Sequence, residues 1–156
     1  RRECFMIRML TITCAGLLTS AAPLLAQRPE DEPLKVVQAV FDGMRARDTA
    51  SMRALFHPSA RLMTSGVRQG APYFSVDSVA SWLTGVGGAK EVLDERLHDI
   101  EVKLDGNLAM VWARYDLFVG SRHSHCGVDL FVLARTPDGW KIVDVADTRR
   151  REGCRP

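Results

Sequence analysis

The C-terminal half of the chain consists of four β-rich runs separated by very short connections. These connections are Asp105-Gly106, Gly120-Ser121 and Pro137-Asp138-Gly139. Asp-Gly and Gly-X pairs favour two-residue hairpins because their backbones accept positive φ, and Pro-Asp-Gly suits a type I turn followed by a glycine bulge. Connections this short join neighbouring antiparallel strands, whereas parallel strands need long crossovers. The sequence therefore predicts a four-stranded antiparallel meander over residues 92–149.

The residues ahead of the meander predict helices that cover one of its faces. Apolar residues recur at helical spacing from 33 to about 47, and a short helix follows up to His57-Pro58. Residues 61–67 predict a short first strand, followed by a loop with glycine and proline. Ser75 or Asp77 caps a third helix. The predicted fold class is α+β: three N-terminal helices on one face of an antiparallel sheet, which is a four-strand meander plus one short strand.

The first 26 residues are typical of a secretory signal peptide. Arg8 precedes the uncharged apolar run 9–25, and cleavage after Ala26 fits the pattern. A membrane anchor is the alternative, although the run is short and Pro23 breaks it. The mature protein is therefore expected in the periplasm or outside the cell. The predicted division is residues 1–26 as signal peptide, 27–32 as linker and 33–156 as one domain.

Removal of this leader changes the charge of the chain. The whole sequence has 21 Lys and Arg against 19 Asp and Glu. The leader holds Arg1, Arg2, Arg8 and Glu3, so 18 basic and 18 acidic residues remain and the net charge is zero. Nucleic acid and an anionic membrane surface are therefore not expected as partners.

Two cysteines, Cys126 and Cys154, remain after the leader is removed. An even count in an exported protein fits one disulfide, which would stabilise the fold by about 3 kcal/mol through loop closure. The alternatives are a buried free thiol at Cys126 and an intermolecular bridge through Cys154. The intramolecular bridge would tie the C-terminal tail to a central strand.

The turn lengths predict which side chains face the helices, because successive residues of a strand point to opposite faces. One extra residue at a bulge would exchange the two sets. The set predicted to be covered is His98, Ile100, Val102, Leu104, Val111, Ala113, Tyr115, Cys126, Val128, Leu130, Val132, Ile142, Asp144, Ala146 and Thr148.

Several short segments resemble the nuclear transport factor 2-like (SnoaL-like) superfamily. At the level of the fold, these are Leu55–Ala60, Trp112–Asp116 and Asp138–Val143. The segments Ser124–Asp129 and Ala146–Arg150, together with Gly153-Cys154, are similar to the putative lumazine-binding branch of exported bacterial members. The resemblance covers residues 33 to 154.

This resemblance implies a cone-shaped α+β fold in which the sheet curves around a pocket closed by the helices. It also implies that the opposite sheet face can form a homodimer. The superfamily contains isomerases, dehydratases, polyketide cyclases, epoxide hydrolases and non-catalytic binders, so the fold does not define a reaction.

Three polar residues fall on the predicted covered face and are the candidate catalytic residues. In an apolar cavity the pKa of Asp144 would rise, so this carboxyl group could act as an acid or base with His98 as its partner. Tyr115 could donate a hydrogen bond to a developing oxyanion. The alternative is that all three are interior polar groups satisfied by hydrogen bonds.

A second polar set falls on the other predicted face, with Arg114 among its members. It could form an acid–base pair, a network across a homodimer face or an exposed ion-pair lattice, and a bulge in the last two strands would turn it into the pocket. Together with aromatic residues, the candidate ligand-binding residues are Tyr73, Trp82, Trp112, Asp116, His125, Asp129, Asp147 and Arg149.

No metal or cofactor is expected. His123 and His125 are two residues apart and are predicted to share a strand face, but no third ligand is close in sequence. The glycines at 85, 87 and 88 follow a helix instead of opening one, unlike a phosphate-binding loop.

The sequence thus predicts an exported small-molecule-binding protein with a pocket for an apolar or aromatic ligand, which forms a homodimer and contacts neither nucleic acid nor, after cleavage, a membrane. The alternatives are a cofactor-independent lyase or isomerase that uses acid–base residues in the pocket, and a non-catalytic dimerisation or interaction domain.

Overall fold

The computed structural model describes residues 28–155, in which three helices lie on one face of a curved six-stranded sheet. The strand order is β2-β1-β6-β5-β4-β3. The predicted signal peptide lies outside the described residues. The elements are α1 (Asp31–Ala46), α2 (Thr49–Ala54), β1 (Phe56–Arg68), β2 (Ala71–Ser78), α3 (Val79–Gly87), β3 (Leu93–Asp105), β4 (Leu108–Val119), β5 (Arg122–Thr136) and β6 (Gly139–Arg149).

The predicted meander is confirmed: β3, β4, β5 and β6 follow one another as antiparallel neighbours. A glycine with positive φ occupies each of the three turns, namely Gly106 (55°), Gly120 (60°) and Gly139 (94°). These are backbone conformations that other residues adopt only with strain. The residues at these short turns therefore determine that consecutive strands lie side by side. The α+β fold class is confirmed.

The N-terminal part of the sheet differs from the prediction in two ways. Residues 71–78 form a strand, β2, where a loop was expected, because Gln69 (φ 53°) and Gly70 (φ 80°) make a tight turn between β1 and β2. Pro72 is compatible with β2 because this strand lies at the sheet edge. Strand β1 then pairs in parallel with β6, so the sheet is mixed and has six strands instead of five.

The helices begin close to the expected positions, with local reasons for each start. Helix α1 begins at Asp31, two residues earlier than predicted, and its acidic first turn suits the positive end of the helix dipole. The Asp48 side chain caps α2 by accepting from Ser51 N. Ser78 caps α3 by accepting from Ser81 N, so neither Ser75 nor Asp77 is the cap.

The core lies between helix α1 and one end of the central strands β4, β5 and β6. Val37 and Val40 of α1 are buried, as are Val111, Leu133 and Ile142 of the sheet. This end of the sheet is filled by side chains, which leaves the other end of the same strands free to border a cavity.

Among the described helices, none has the length and apolar character needed to cross a membrane.

Three bulges in the meander β3–β6 determine which of its side chains face the helices. The pairing shifts between His98 and Glu101 on β3, at Ser124 on β5 and at Val143 on β6. Each extra residue reverses the alternation beyond it. The predicted facing is therefore correct for Val102, Leu104, Val111, Ala113, Tyr115 and Ile142, and wrong for His98, Ile100, Cys126, Val128, Leu130, Val132, Asp144, Ala146 and Thr148.

Candidate functional site

A cavity of about 360 Å³ lies between the helices and the concave face of the sheet. Its size is at the lower end of the range for ligand sites, about 300–1,000 Å³. The helices supply a mainly apolar wall, and the strands supply polar side chains at the floor. The apolar lining includes Val40, Phe41, Met44, Trp82, Val86, Leu93, Leu117, Phe131 and Val145; the polar lining is Thr64, Asp77, Ser81, Glu95, Tyr115, His125, Asp129, Asp147 and Arg149.

The candidate residues are divided between the two faces of the sheet. Tyr73 packs over Gly66 next to the backbone of Arg149. The candidates that line the cavity are Trp82, Tyr115, His125, Asp129, Asp147 and Arg149. Those on the opposite, convex face are His98, Trp112, Asp116 and Asp144, together with Arg114.

The bulges explain this division. Because Ser124 is an extra residue, Asp129 pairs with Ala113 and faces the cavity. Because Val143 is an extra residue, Asp147 faces the cavity and Asp144 faces away from it. The predicted pairing of His98 with Asp144 inside the pocket is therefore wrong, and Asp144 forms an ion pair with Arg61 instead (3.3 Å).

Tyr115 reaches across β5 to β6, which only a glycine at position 127 permits. A Cβ atom on Gly127 would lie 2.7 Å from the Tyr115 ring and would overlap the carbonyl oxygen of Thr148. The Tyr115 hydroxyl donates to that carbonyl oxygen (2.9 Å). Burial, followed by the charges of neighbouring carboxylates, raises the pKa of Tyr115, so the hydroxyl stays protonated. The single proton of this hydroxyl is therefore used in the hydrogen bond to the backbone.

Asp147 is a carboxylate whose two oxygens both have donors. Thr64 Oγ1 donates to Oδ1 (2.6 Å), and Arg149 Nε donates to Oδ2 (2.7 Å). Burial lowers the pKa of Arg149, but the hydrogen bond and charge of Asp147 outweigh it and the net shift is upward. Asp147 and Arg149 therefore form an ion pair with no net charge on the cavity floor.

Glu95 and Asp129 are a second pair of neighbouring carboxyl groups, and both line the cavity. Asp129 is 4% exposed, and no donor group of the described residues reaches its Oδ2. Burial, and then the charge of Glu95, raises the pKa of Asp129 well above its ordinary value. Burial also raises the pKa of Glu95, to about 7. Burial and the like charge of the neighbour thus both favour the protonated form of this pair.

Glu95 was missed by sequence reasoning, which named His98 as its candidate on this strand. The bulge after His98 turns Leu93, Glu95 and Leu97 toward the helices. The signal was present in the sequence, because apolar residues two positions to either side of Glu95 indicate a covered face. The alternation of residues 98–104 masked this signal.

His125 completes the polar floor. Its ring packs edge-on against Tyr115, with 5.7 Å between ring centroids, and a hydrogen bond joins its Nδ1 to Ser124 Oγ (3.0 Å). Burial, and then the positive charge of Arg149, lowers the pKa of His125. The imidazole is therefore neutral at neutral pH and can donate or accept one hydrogen bond to a ligand.

A separate cluster lies on the convex face around Asp116, which is 7% exposed. Hydrogen bonds join Asp116 Oδ2 to His98 Nε2 (3.0 Å) and Oδ1 to His123 Nε2 (2.9 Å). The disulfide between Cys126 and Cys154 adjoins this cluster. The predicted intramolecular bridge is thus present, and it holds the C-terminal tail against the sheet.

This cluster contains the group of potential metal ligands that the described residues bring together, namely Asp116, Cys126 and Cys154. The two sulfurs are bonded to each other and are not thiolates, so they do not fit a metal ion in this state. The expectation that His123 and His125 share a face is wrong, because the Ser124 bulge sends them to opposite faces.

The curved sheet, its three helices and the enclosed cavity define a nuclear transport factor 2-like fold. Similar solved structures include a putative dehydratase from Streptomyces avermitilis (18% identity, TM-score 0.59, covering 78% of this chain and 95% of that chain). An NTF2-like protein from Cytophaga hutchinsonii has 12% identity and a TM-score of 0.65, with coverage of 80% and 100%. The beta subunit of a putative aromatic-ring-hydroxylating dioxygenase from Novosphingobium aromaticivorans has 11% identity and a TM-score of 0.63, with coverage of 77% and 88%.

The chain belongs to the putative lumazine-binding family, whose sequence profile matches residues 29–146. No curated protein matches the chain. At these identities the solved structures are relatives in fold, and the activity must be argued from the cavity.

Proposed function

We propose that the protein is an exported small-molecule-binding protein whose cavity holds a ligand with an apolar or aromatic body and a polar end. The observation that carries this proposal is the cavity of about 360 Å³, with an apolar helical wall above a polar floor. Such a wall gains about 25 cal/mol for each Å² of apolar ligand surface removed from water, while a few polar groups fix the orientation. Membership of the putative lumazine-binding family supports the binding of a small molecule.

Binding of the neutral fluorescent dye N-phenyl-1-naphthylamine tests this proposal. Leu117 lines the cavity and Leu130 lies on the convex face, and both are partly buried. Leu117→Trp should fill the cavity and weaken dye binding at least tenfold, whereas the matched Leu130→Trp should leave it unchanged. Failure of the wild-type protein to bind the dye, or equal losses in the two variants, would count against a ligand cavity.

A second candidate function is a cofactor-independent lyase or isomerase, with Glu95 and Asp129 as the acid–base pair in place of His98 and Asp144. The observation that favours it is a pair of carboxyl groups that line the cavity and whose pKa values are raised toward neutral pH, the condition in which general acid–base catalysis is most effective. The ionised group would remove a proton from a substrate carbon, and the protonated group would return one elsewhere.

Deuterium exchange tests the catalytic candidate. Cyclic ketones incubated with the protein in D₂O should gain deuterium beside the carbonyl, as followed by NMR, and Glu95→Gln should abolish the gain. Exchange no faster than in buffer alone would leave ligand binding as the function.

Export and dimerisation complete the proposal. The Cys126–Cys154 disulfide supports an oxidising compartment. An apolar row crosses the convex face from Trp112, 41% exposed, through Leu130 and Met63 to Val76, 53% exposed, and supports a homodimer through this face. Analytical ultracentrifugation should give a dimer that Trp112→Glu converts to a monomer. Periplasmic fractionation of the full-length chain, with a mature N-terminus at Gln27, tests export.

A further inference from the structure

The inference concerns the one buried oxygen of the cavity floor that lacks a donor. No backbone, hydroxyl, ring or guanidinium donor within residues 28–155 reaches Asp129 Oδ2. Its protein neighbour is the carboxyl group of Glu95, and two carboxyl groups can hydrogen-bond to each other only through a proton. An unpartnered oxygen of this kind inside a cavity identifies the position of a ligand donor.

We propose that the cavity selects an organic cation, a protonated amine or amidine on an apolar or aromatic body, whose N–H group binds Asp129 Oδ2 next to Glu95. This inference deepens the proposed ligand-binding function and rests on it. The cation would occupy the position that the shared proton holds in the empty cavity.

The charges around the pair favour a cation over an anion. The charged side chains that line the cavity come from the strands: Asp77 from β2, Glu95 from β3, Asp129 from β5, and Asp147 with Arg149 from β6. Arg149 is the single guanidinium in this lining, and Asp147 already accepts its Nε–H.

The neighbouring groups on α1 and β3 do not offset these carboxyl groups. Glu95 also borders a smaller recess that contains Asp42 and Arg45 of α1 and Arg96 of β3. Arg45 is paired with Asp42 and Asp94, and Arg96 is paired with Asp94. The neutral His125 and Tyr115 add no positive charge to the floor.

Burial makes the contact between cation and carboxylate selective. A hydrogen bond from an ammonium or amidinium group to a carboxylate is roughly twice as strong as one between neutral groups, and the attraction is larger inside a protein than in water. An anionic ligand would instead lie beside four carboxyl groups of the lining, which are opposed by the guanidinium group of Arg149 alone among the lining residues of the described chain. A neutral ligand would gain the apolar contacts alone.

Binding of the cation should release a proton from the cavity. The empty cavity holds one proton on the Glu95–Asp129 pair. The cation arrives with its own charge, the pair becomes fully ionised, and the displaced proton leaves to the buffer. Affinity for the cation should therefore rise with pH across neutrality, about tenfold between pH 6 and pH 8, because the competing proton is lost over this interval.

Three probes of equal size test the inference: 1-naphthylmethylammonium, the neutral 1-naphthalenemethanol and the anionic 1-naphthoate. In titration calorimetry at pH 8, the ammonium compound should bind at least tenfold more tightly than the alcohol, and the carboxylate should bind least. Titrations in two buffers of different ionisation enthalpy should show release of about one proton at pH 6. The alcohol should bind equally at pH 6 and pH 8.

Two cavity variants and one control complete the test. Asp129→Asn should reduce the affinity for the ammonium compound to that for the alcohol and remove the pH dependence of the affinity. Glu95→Gln alters the other carboxyl group of the pair and should also remove this pH dependence. Asp144→Asn, on the convex face, should change nothing. Equal affinities of ammonium and alcohol for the wild-type protein would overturn the inference and leave the proposed function standing. If none of the three probes binds, both fail.

Discussion

The two faces of the sheet each bury an aspartate, and the two aspartates have opposite surroundings. Asp116 on the convex face has a histidine at each oxygen, and a disulfide next to it holds the tail in place. Asp129 on the concave face has one oxygen that no donor group from residues 28–155 reaches. We infer that the convex cluster is complete and structural, whereas the concave one is completed by the proposed ligand. The following predictions test this contrast, beginning with the largest expected effect.

Loss of the disulfide should destabilise the convex cluster and spare the cavity. Cys126 and Cys154 are 28 residues apart, and closing a loop of this length stabilises a fold by about 3–4 kcal/mol. The double variant Cys126→Ser, Cys154→Ser should lose about that much free energy of unfolding in urea titrations. Dye binding below the denaturing range should persist, and its loss would show that the two faces are not independent.

Gly127→Ala should disrupt the pairing of β5 with β6, which carries residues of both faces. The added methyl group would overlap the Thr148 carbonyl oxygen and press on the Tyr115 ring, so β5 and β6 must separate. A loss of about 3 kcal/mol is expected. The matched control is Gly85→Ala in α3, where the methyl group meets open space and should stabilise the helix by about 0.5–1 kcal/mol. Thermal melts of both proteins check the difference in sign.

The same Asp→Asn change should have opposite effects on the two faces. Asp116→Asn removes charge-assisted hydrogen bonds to His98 and His123 and should cost about 2 kcal/mol. Asp129→Asn removes a buried charge, and its amide can donate to Glu95, so it should raise stability by about 1 kcal/mol at pH 8. Chemical denaturation measures both values. Destabilisation by both changes would mean that Asp129 is also structural.

The smallest effect is a dependence of stability on pH that originates in the cavity. The pKa of Glu95 is about 7 in the folded protein and about 4.5 as its ordinary value, so folding favours the protonated form. The stability this contributes is present below about pH 4.5 and is lost as the pH rises through 7. Glu95 is partly exposed, so solvent screening reduces this contribution, and the midpoint of thermal unfolding should fall by only a few degrees from pH 5 to pH 8. Glu95→Gln should flatten this slope, and Asp144→Asn should not.

The features that could be predicted from the sequence are those with local causes. Gly106, Gly120 and Gly139 lie where the chain must adopt positive φ, so the meander follows from the residues at each turn. The spacing of apolar residues in α1 is equally local, because a helix presents every third or fourth residue to the sheet.

The features that could not be predicted depend on bulges. Ser124 and Val143 have no local signature that distinguishes them from ordinary strand residues, yet each exchanges the faces of the residues next to it. Asp99, with φ of 50°, does the same on β3. The sheet face was therefore predicted correctly for Tyr115, on the strand that carries no extra residue, and incorrectly for His98 and Asp144. Glu95 was missed for the same reason.

The extra residue at Ser124 has a consequence for tracing this cavity through evolution. A relative that kept this residue but paired it directly with the residue at position 117, without a bulge, would keep the same turns and helices, yet would present the neighbours of His125 and Asp129 to its interior. Loss or gain of this bulge could thus replace an acidic binding floor by an apolar one without altering the fold. Pockets in this family should for that reason be compared by strand pairing, since equivalent columns of aligned letters can belong to opposite sides of the sheet.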